Sequence, residues 1–260
     1  MTINNPNSTQ PENPFESQKK AVSLLTGFRI GVHSGKGGVG KTFVSINIAY
    51  YLKSKGYEVG LLDADIDCPN VSTFLNLKIP LVRESTQLNP ILHNGVSIVS
   101  TGSLNPGSLN PIVIRGPIKH NMLYNFLANT KWPKLDYLVI DLPPGTADVP
   151  LSAMQLSAID GLILVCAPTK ESRIDTIRAA NMAKSQNIRI LGLVENFSGE
   201  VFGSIGENLS KELEIDFLGS IPLSANIAKL SNDSKIAFLE DSSLVKIALS
   251  ILNSIKNAST

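Results

Sequence analysis

Short apolar runs alternate along the chain with longer segments of helical periodicity. From residue 28 onward, the apolar runs end at polar or glycine-rich turns, and helical patterns lie between most of them. This alternation is typical of a parallel sheet that helices cover on both faces. We therefore predict an α/β fold with a doubly wound, mostly parallel sheet. The six predicted strands lie in FRIGVH, EVGLLDAD, GVSIVSTG, DYLVIDLPPG, GLILVCAP and IRILGLVEN.

Two helical segments carry an apolar face of well-defined spacing. The segment TFVSINIAYYLKSKG follows the first strand and is stopped by Gly56. The second segment, from Ser242 to Ile255, could anchor the chain to a membrane surface through its apolar face. It has only Lys246 as a basic residue, with Lys256 directly after it, so we expect a closing helix packed on the sheet.

The pattern indicates one domain with a polar leader. Residues 1–20 are rich in Asn, Pro, Ser, Gln and Glu, and they have too little apolar surface to offset the entropy of ordering. We predict a flexible polar tail over residues 1–20 and a single folded domain over residues 21–260. The stretch SLNPGSLNP, residues 103–111, is predicted to be a loop, with a mobile flap near the site as the alternative.

Composition and charge narrow the choice of partner and compartment. The formal net charge of +1 provides no electrostatic argument for a nucleic-acid partner. No uncharged run is long enough to span a bilayer, and the N-terminus has no signal-peptide core, so neither a membrane partner nor export is expected. Two cysteines exclude a disulfide framework and fit a reducing compartment. We therefore predict a cytoplasmic protein.

A phosphate-binding motif follows the first predicted strand. Gly35, Gly40, Lys41 and Thr42 fill the pattern G-x-x-x-x-G-K-[ST] within HSGKGGVGKT. Glycines allow the backbone N–H groups to surround phosphate oxygens, and the next helix directs its positive end there. Lys41 is predicted to neutralise the β- and γ-phosphates, and the Thr42 hydroxyl to bind Mg²⁺. The predicted nucleotide-binding residues here are Gly35, Lys36, Gly37, Gly38, Val39, Gly40, Lys41 and Thr42.

Carboxylates follow two of the predicted strands, where an open sheet binds its ligands. Asp141 ends the strand YLVID and is predicted to be a Mg²⁺ ligand, while Asp67 is assigned to a turn or cap. By strand alternation, Asp63 and Asp65 are expected to share one face, and either could orient the attacking water. The chain has no NKxD motif, which favours ATP over GTP.

The loop GKGGVGKT resembles the deviant Walker A motif of the superfamily that contains MinD, ParA and the nitrogenase iron protein. The resemblance implies a MinD-like P-loop NTPase fold. It also implies a second role for the early lysine: Lys36 would cross a homodimer interface at the nucleotide face and contact the partner's nucleotide. A second cation there would offset the charge that develops in phosphoryl transfer.

Within this superfamily the chain is most similar to the Mrp-type iron–sulfur cluster carriers. The stretches that carry the likeness are LLDADIDCPN, IRGP, LDYLVIDLPPGTAD, LGLVENFSG and LGSIPL. The resemblance makes Asp65 the acid that positions water and also a residue of the Mg²⁺ site. It puts Asp141 and Gly145 in a second switch segment. It implies that Asn196 binds the adenine edge and that the backbone near Pro222 flanks the base.

The chain departs from these carriers at the cluster ligands. They have a C-x-x-C pair soon after the VEN segment, and two subunits then supply four thiolates to a [4Fe–4S] cluster. Here that region has no cysteine. Cys68 takes the place of a residue that is usually glycine, and Cys166 lies in an apolar strand, so both are assigned structural roles, with Cys68 as the alternative ligand.

Three possible functions remain open at this point. The first is a slow, dimeric Mg-ATPase that carries or assembles iron–sulfur clusters for apo client proteins. The second is a MinD- or ParA-like positioning switch that binds no cluster. A third possibility is a regulatory partner of a cysteine-bearing homologue.

Overall fold

The computed structural model describes residues 25–104 and 115–259, together with residues 18, 22 and 106. Most of the predicted tail, and most of the predicted loop at residues 103–111, lie outside the described residues. The division into residues 1–20 and 21–260 therefore stays a prediction. Among the described residues, no helix is long and apolar enough to cross a bilayer.

Strands and helices alternate through the described chain. The strands are β1 (Phe28–His33), β2 (Val59–Asp63), β3 (Val82–Glu84), β4 (Gln87–Asn89), β5 (Ile91–His93), β6 (Val96–Val99), β7 (Tyr137–Asp141), β8 (Gly161–Cys166), β9 (Ile190–Ser198) and β10 (Phe217–Pro222). The helices are α1 (Lys41–Ser54), α2 (Val71–Phe74), α3 (Gly116–Ala128), α4 (Asp148–Ser157), α5 (Lys170–Ser185), α6 (Gly206–Leu213), α7 (Ala225–Asn232), α8 (Ala237–Glu240) and α9 (Val245–Ser259).

The central sheet has eight strands in the order β10-β9-β8-β1-β7-β2-β6-β5. All neighbours pair in parallel except β5, which runs antiparallel to β6 at one edge. The predicted doubly wound, mostly parallel sheet is confirmed. The six predicted strands correspond to β1, β2, β6, β7, β8 and β9, whereas the edge strands β5 and β10 and the separate hairpin β3–β4 were not predicted.

Strand alternation sends side chains into an apolar layer on each face of the sheet. In β7, Tyr137 and Val139 join the layer that contains α1 and α9, while Leu138 and Ile140 join the layer that contains α3 to α6. Both faces are covered, so the parallel strands are apolar on both sides. The carboxyl ends of the strands are thereby left as the edge where polar side chains gather.

The closing helix packs on the sheet as predicted. The four residues predicted to form its apolar face, Leu244, Ala248, Leu252 and Ile255, are all buried. They belong to the same apolar layer as α1. The face that could have bound a membrane surface is therefore covered by the protein itself.

Candidate nucleotide-binding site

The phosphate-loop motif forms the connection between β1 and α1, as predicted. Gly40 immediately precedes α1 with a φ of +85°, a left-handed conformation that favours glycine. A Cβ at Gly40 would lie 2.1 Å from Nδ2 of Asn196. Gly35 is constrained by packing, since its Cβ would lie 2.0 Å from the carbonyl oxygen of Asp175 in α5. Both positions therefore exclude a side chain.

Asp141 joins the loop to the end of β7 through three hydrogen bonds. Lys41 Nζ donates to Asp141 Oδ1 over 2.7 Å, and Thr42 Oγ1 donates to Asp141 Oδ2 over 2.6 Å. Ser45 Oγ also donates to Asp141 Oδ1, over 2.8 Å. Sequence reasoning missed Ser45, although its position one helical turn after Lys41 puts both on one side of α1. The three predicted residues Lys41, Thr42 and Asp141 are brought together.

Asp63 has a structural role, which corrects one expectation from the sequence. Its side chain is fully buried at the end of β2 and accepts hydrogen bonds from Ser100 Oγ and from the backbone N–H of Val71. Burial, and then the charge of Asp141, raise the pKa of Asp63 above its ordinary value. Because β2 ends at Asp63, strand alternation does not extend to Asp65, and Asp63 is not placed to orient water.

Asp65 and Asp67 both line the cleft in front of the phosphate loop, but Asp67 forms an ion pair there. Asp65 shares a cleft of about 900 Å³ with Lys41 and Thr42 and accepts a hydrogen bond from the N–H of Cys68. Burial raises the pKa of Asp65, and the charge of Lys41 opposes the rise. Asp67 pairs with Lys119 over 2.6 Å, which fits its assignment to a turn.

Lys36 is half-exposed at the tip of the loop. Its carbonyl oxygen accepts a hydrogen bond from Ser34 Oγ over 2.9 Å. Within the described residues its ammonium makes no ion pair or hydrogen bond, although its charge is one of the influences that lower the pKa of Glu171. The predicted contact of Lys36 with the nucleotide of a partner subunit (its trans role) requires a second subunit and stays a prediction.

A smaller cavity of about 240 Å³ lies on the other side of Gly40. It is lined by Asn196, Phe197 and Pro222, among other residues, so the two residues predicted at the base meet in one pocket. Asn196 Nδ2 donates to the carbonyl oxygen of Val39 over 3.0 Å, and its Oδ1 accepts from the N–H of Phe197. Asn196 thus fixes the phosphate loop, and its contact with adenine stays a prediction.

Gly145 and His33 connect the phosphate loop to the segment after β7. Gly145, with a φ of +105°, donates its N–H to the carbonyl oxygen of Ser34 over 2.9 Å. His33 is fully buried beside this segment. Burial, and then the charge of Lys41, lower the pKa of His33 to about 4, so the ring is neutral near pH 7. Movement of the segment at Gly145 would therefore shift the phosphate loop through this hydrogen bond to Ser34.

The two cysteines occupy different environments. Cys68 is exposed and lines the large cleft, whereas Cys166 is buried in β8, where burial raises the pKa of its thiol to about 12. Cys166 therefore has the structural role predicted for it. No group of three or more His, Cys, Asp or Glu side chains in the described part of the chain could hold a metal ion.

The fold and the loop define a P-loop nucleotide-binding protein with a deviant Walker A motif. A family model described as "ParA: NUBPL iron-transfer P-loop NTPase" matches residues 27–256. The chain belongs to this family, and the resemblance drawn from its motifs is confirmed.

Relatives found by sequence include iron–sulfur cluster carrier proteins. The one from Saccharolobus solfataricus is 38% identical over 227 residues, covering 82% of this chain and 77% of the relative. The one from Aquifex aeolicus is 35% identical over 256 residues, covering 92% of this chain and 70% of the relative.

Solved structures agree with this placement. A nucleotide-binding protein from Archaeoglobus fulgidus in complex with ADP is 30% identical, with a TM-score of 0.72 over 85% of this chain and 92% of that one. The cell division ATPase MinD of Pyrococcus furiosus, at 22% identity and a TM-score of 0.69 over 89% of this chain and 99% of that one, shares the fold.

Proposed function

We propose that this chain is a dimeric, Mg²⁺-dependent ATPase that acts as a switch in iron–sulfur cluster delivery or assembly. The observation that carries the ATPase part is the network on Asp141, which ties the phosphate-loop residues Lys41 and Thr42 to the end of β7. Asp65 faces the same cleft. Lys41, Thr42 and Asp65 line this cleft, and the buried carboxylate of Asp141 is hydrogen-bonded to the first two. A lysine, a hydroxyl and carboxylates are the groups that phosphoryl transfer uses.

The residues at the cleft suit a magnesium ion. Thr42 Oγ1 and Asp141 Oδ2 are 2.6 Å apart, and oxygen atoms are the ligands that Mg²⁺ prefers. Asp65 provides a carboxylate on the cleft that Thr42 also lines. Thr42, Asp141 and Asp65 would hold the ion directly or through water, and the bound ion would neutralise phosphate charge.

Different groups of the protein have different roles in the proposed hydrolysis of ATP. The backbone N–H groups of the loop and Lys41 hold the phosphates, and the carboxylate of Asp65 orients a water toward the γ-phosphate. Lys36 of the partner subunit stabilises the charge that develops on the transferred group. The hydrogen bond from Gly145 to Ser34 links the loop to the segment that leads into α4, so nucleotide turnover can change the subunit surface.

The trans-lysine proposal makes a specific kinetic prediction. Lys36→Ala should retain ATP binding but lose hydrolysis by tenfold or more, because the lysine acts on transition-state charge. Asp65→Ala should bind ATP and fail to turn it over. The measurement is phosphate release together with fluorescent-nucleotide binding. Lys78→Ala, which removes an exposed lysine elsewhere, is the matched control. Unchanged turnover in Lys36→Ala would refute the trans-lysine account.

The iron–sulfur cluster would be the cargo of the proposed switch. Family membership supports delivery to apo client proteins. The thiols of the chain do not suit a four-thiolate cluster, since Cys166 is buried and Cys68 alone provides two thiolates per dimer. This mismatch favours the second candidate, a regulatory ATPase that binds no cluster itself and works with a cysteine-bearing homologue.

Iron and acid-labile sulfide per chain distinguish these two functions. Both should be measured after anaerobic reconstitution on the wild type and on Cys68→Ser. Stoichiometric iron that is lost in Cys68→Ser supports a cluster at the dimer interface, whereas no iron in either protein supports the regulatory role. Co-purification with a cysteine-bearing homologue would strengthen the regulatory role. ATP-dependent sedimentation with liposomes or DNA would instead indicate a positioning switch.

A further inference from the structure

A second, mostly apolar cavity lies beside the cleft, between the segments that follow β2 and β7. Its volume is about 280 Å³, which is large enough to hold one aromatic side chain. Its walls include Ile66 after β2, Leu123 on α3, and Val149 and Ala153 on α4. Val149 is 48% exposed although it is apolar. The proposed ATPase function assigns no ligand to this cavity.

The chain that precedes β1 reaches the rim of this cavity. His120, one of the lining residues, donates from Nε2 to Oε1 of Gln18 over 2.8 Å. Val22 is fully buried and belongs to the same apolar cluster as Ile66 and Leu123. Gln18 and Val22 both have helical backbone and are four positions apart. Gln18 is therefore held at the rim of the cavity, and Val22 is buried in the apolar cluster to which residues of the cavity's walls belong.

The residues just before Gln18 include a side chain that suits the cavity. They read PENPFES, residues 11–17, and Phe15 is the only aromatic residue before Phe28. Phe15 is three positions before Gln18, so even an extended chain keeps their Cα atoms within about 11 Å. A tether this short gives the ring a high effective concentration at the cavity.

We propose that Phe15 of the chain's own N-terminal segment docks in this cavity and bridges the segments after β2 and β7. The ring would contact Ile66, one residue after Asp65, and Val149, close after Gly145. Docking itself requires no nucleotide, so it stands or falls independently of the proposed ATPase activity.

Chymotrypsin cleavage after Phe15 tests the docking, because a buried ring cannot enter a protease pocket. The full chain, without nucleotide, is treated with a trace of protease, and release of residues 1–15 is followed by mass spectrometry. A synthetic peptide of residues 10–20 provides the undocked rate. We expect cleavage in the full chain to be at least tenfold slower than in the peptide. Equal rates overturn the proposal.

Three variants show whether the protection comes from the cavity. Ser152→Trp fills it from a half-buried lining position, and should bring cleavage toward the peptide rate. Leu151→Trp puts the same bulk on the same helix at a position that does not line the cavity, and should leave the protection intact. Gln18→Ala removes the partner of His120 and should increase cleavage severalfold without altering the cavity. Protection that survives both Ser152→Trp and Gln18→Ala overturns the proposal.

The concentration dependence distinguishes docking within one chain from docking between chains. Protection that is constant over a hundredfold dilution supports docking in the same chain. Protection that is lost on dilution would assign the cavity to the segment of a second copy and overturn the intramolecular proposal.

Discussion

Glu195 is a buried carboxylate near the carboxyl end of β9 that organises the loop after the VEN segment. Its Oε1 accepts the backbone N–H groups of Ile205 and Gly206, over 2.6 and 2.9 Å, at the start of α6. Its Oε2 accepts from the hydroxyls of Ser204 and Ser220, over 2.5 and 2.9 Å. The side chain therefore caps a helix and ties β9 to β10, and we predict that changing it destabilises the protein.

The size of the effect follows from the groups that lose their acceptor. In Glu195→Ala, two backbone N–H groups and two hydroxyls lose the carboxylate that accepts their hydrogen bonds. A buried unsatisfied group costs about 1–3 kcal/mol, and the hydroxyls can rotate toward other acceptors, so the backbone groups dominate at about 3–5 kcal/mol. Glu195→Gln keeps the shape and the Oε1 acceptor but loses the charge, which reduces the expected loss to about 1–2 kcal/mol.

Urea unfolding, followed by the fluorescence of the single tryptophan Trp132 and by circular dichroism, measures both losses. Glu207→Gln is the matched control, because Glu207 lies on the same helix but is exposed and pairs only with Lys211. This control should leave the unfolding midpoint unchanged. A Glu195→Gln protein with the wild-type midpoint, or a Glu207→Gln protein destabilised as much, would refute the reasoning.

Two further predictions concern the phosphate loop and its pH response. Gly35→Ala should lower ATP affinity at least tenfold and destabilise the fold by about 1–3 kcal/mol, because the added Cβ would lie 2.0 Å from a carbonyl oxygen. In Gly37→Ala the added Cβ would meet open space, so this control should change neither quantity. Equal effects of the two substitutions in fluorescent-nucleotide titrations would contradict the packing argument. Folding lowers the pKa of His33 from 6.5 to about 4, so the unfolded state takes up the proton at a higher pH than the folded state does. The free energy of unfolding of the wild type should therefore fall by up to about 3 kcal/mol as the pH falls from 6.5 to 4. His33→Leu should remove this slope in urea unfolding at each pH, and parallel profiles would contradict the prediction.

Sequence alone determined the sheet and the phosphate loop, because both depend on local patterns. Apolar runs marked the strands that are buried on both faces, and β1, β7 and β8 lie where they were predicted. The loop between β1 and α1 follows from glycines and a lysine at fixed spacing. Missed elements were short or at the edge of the sheet, as in β5, with three residues, and β10, in which glycine and serine interrupt the apolar pattern.

Only the tertiary structure decided which polar residues share a site and which support the fold. Asp63 and Asp65 are two residues apart, yet Asp63 is buried against Ser100, 37 positions later, while Asp65 faces the cleft. Asn196 bonds to the carbonyl of Val39, 157 positions earlier in the chain. Local periodicity carries no information about such partners, because a hydrogen bond between distant segments exists only once the sheet has brought their strand ends together.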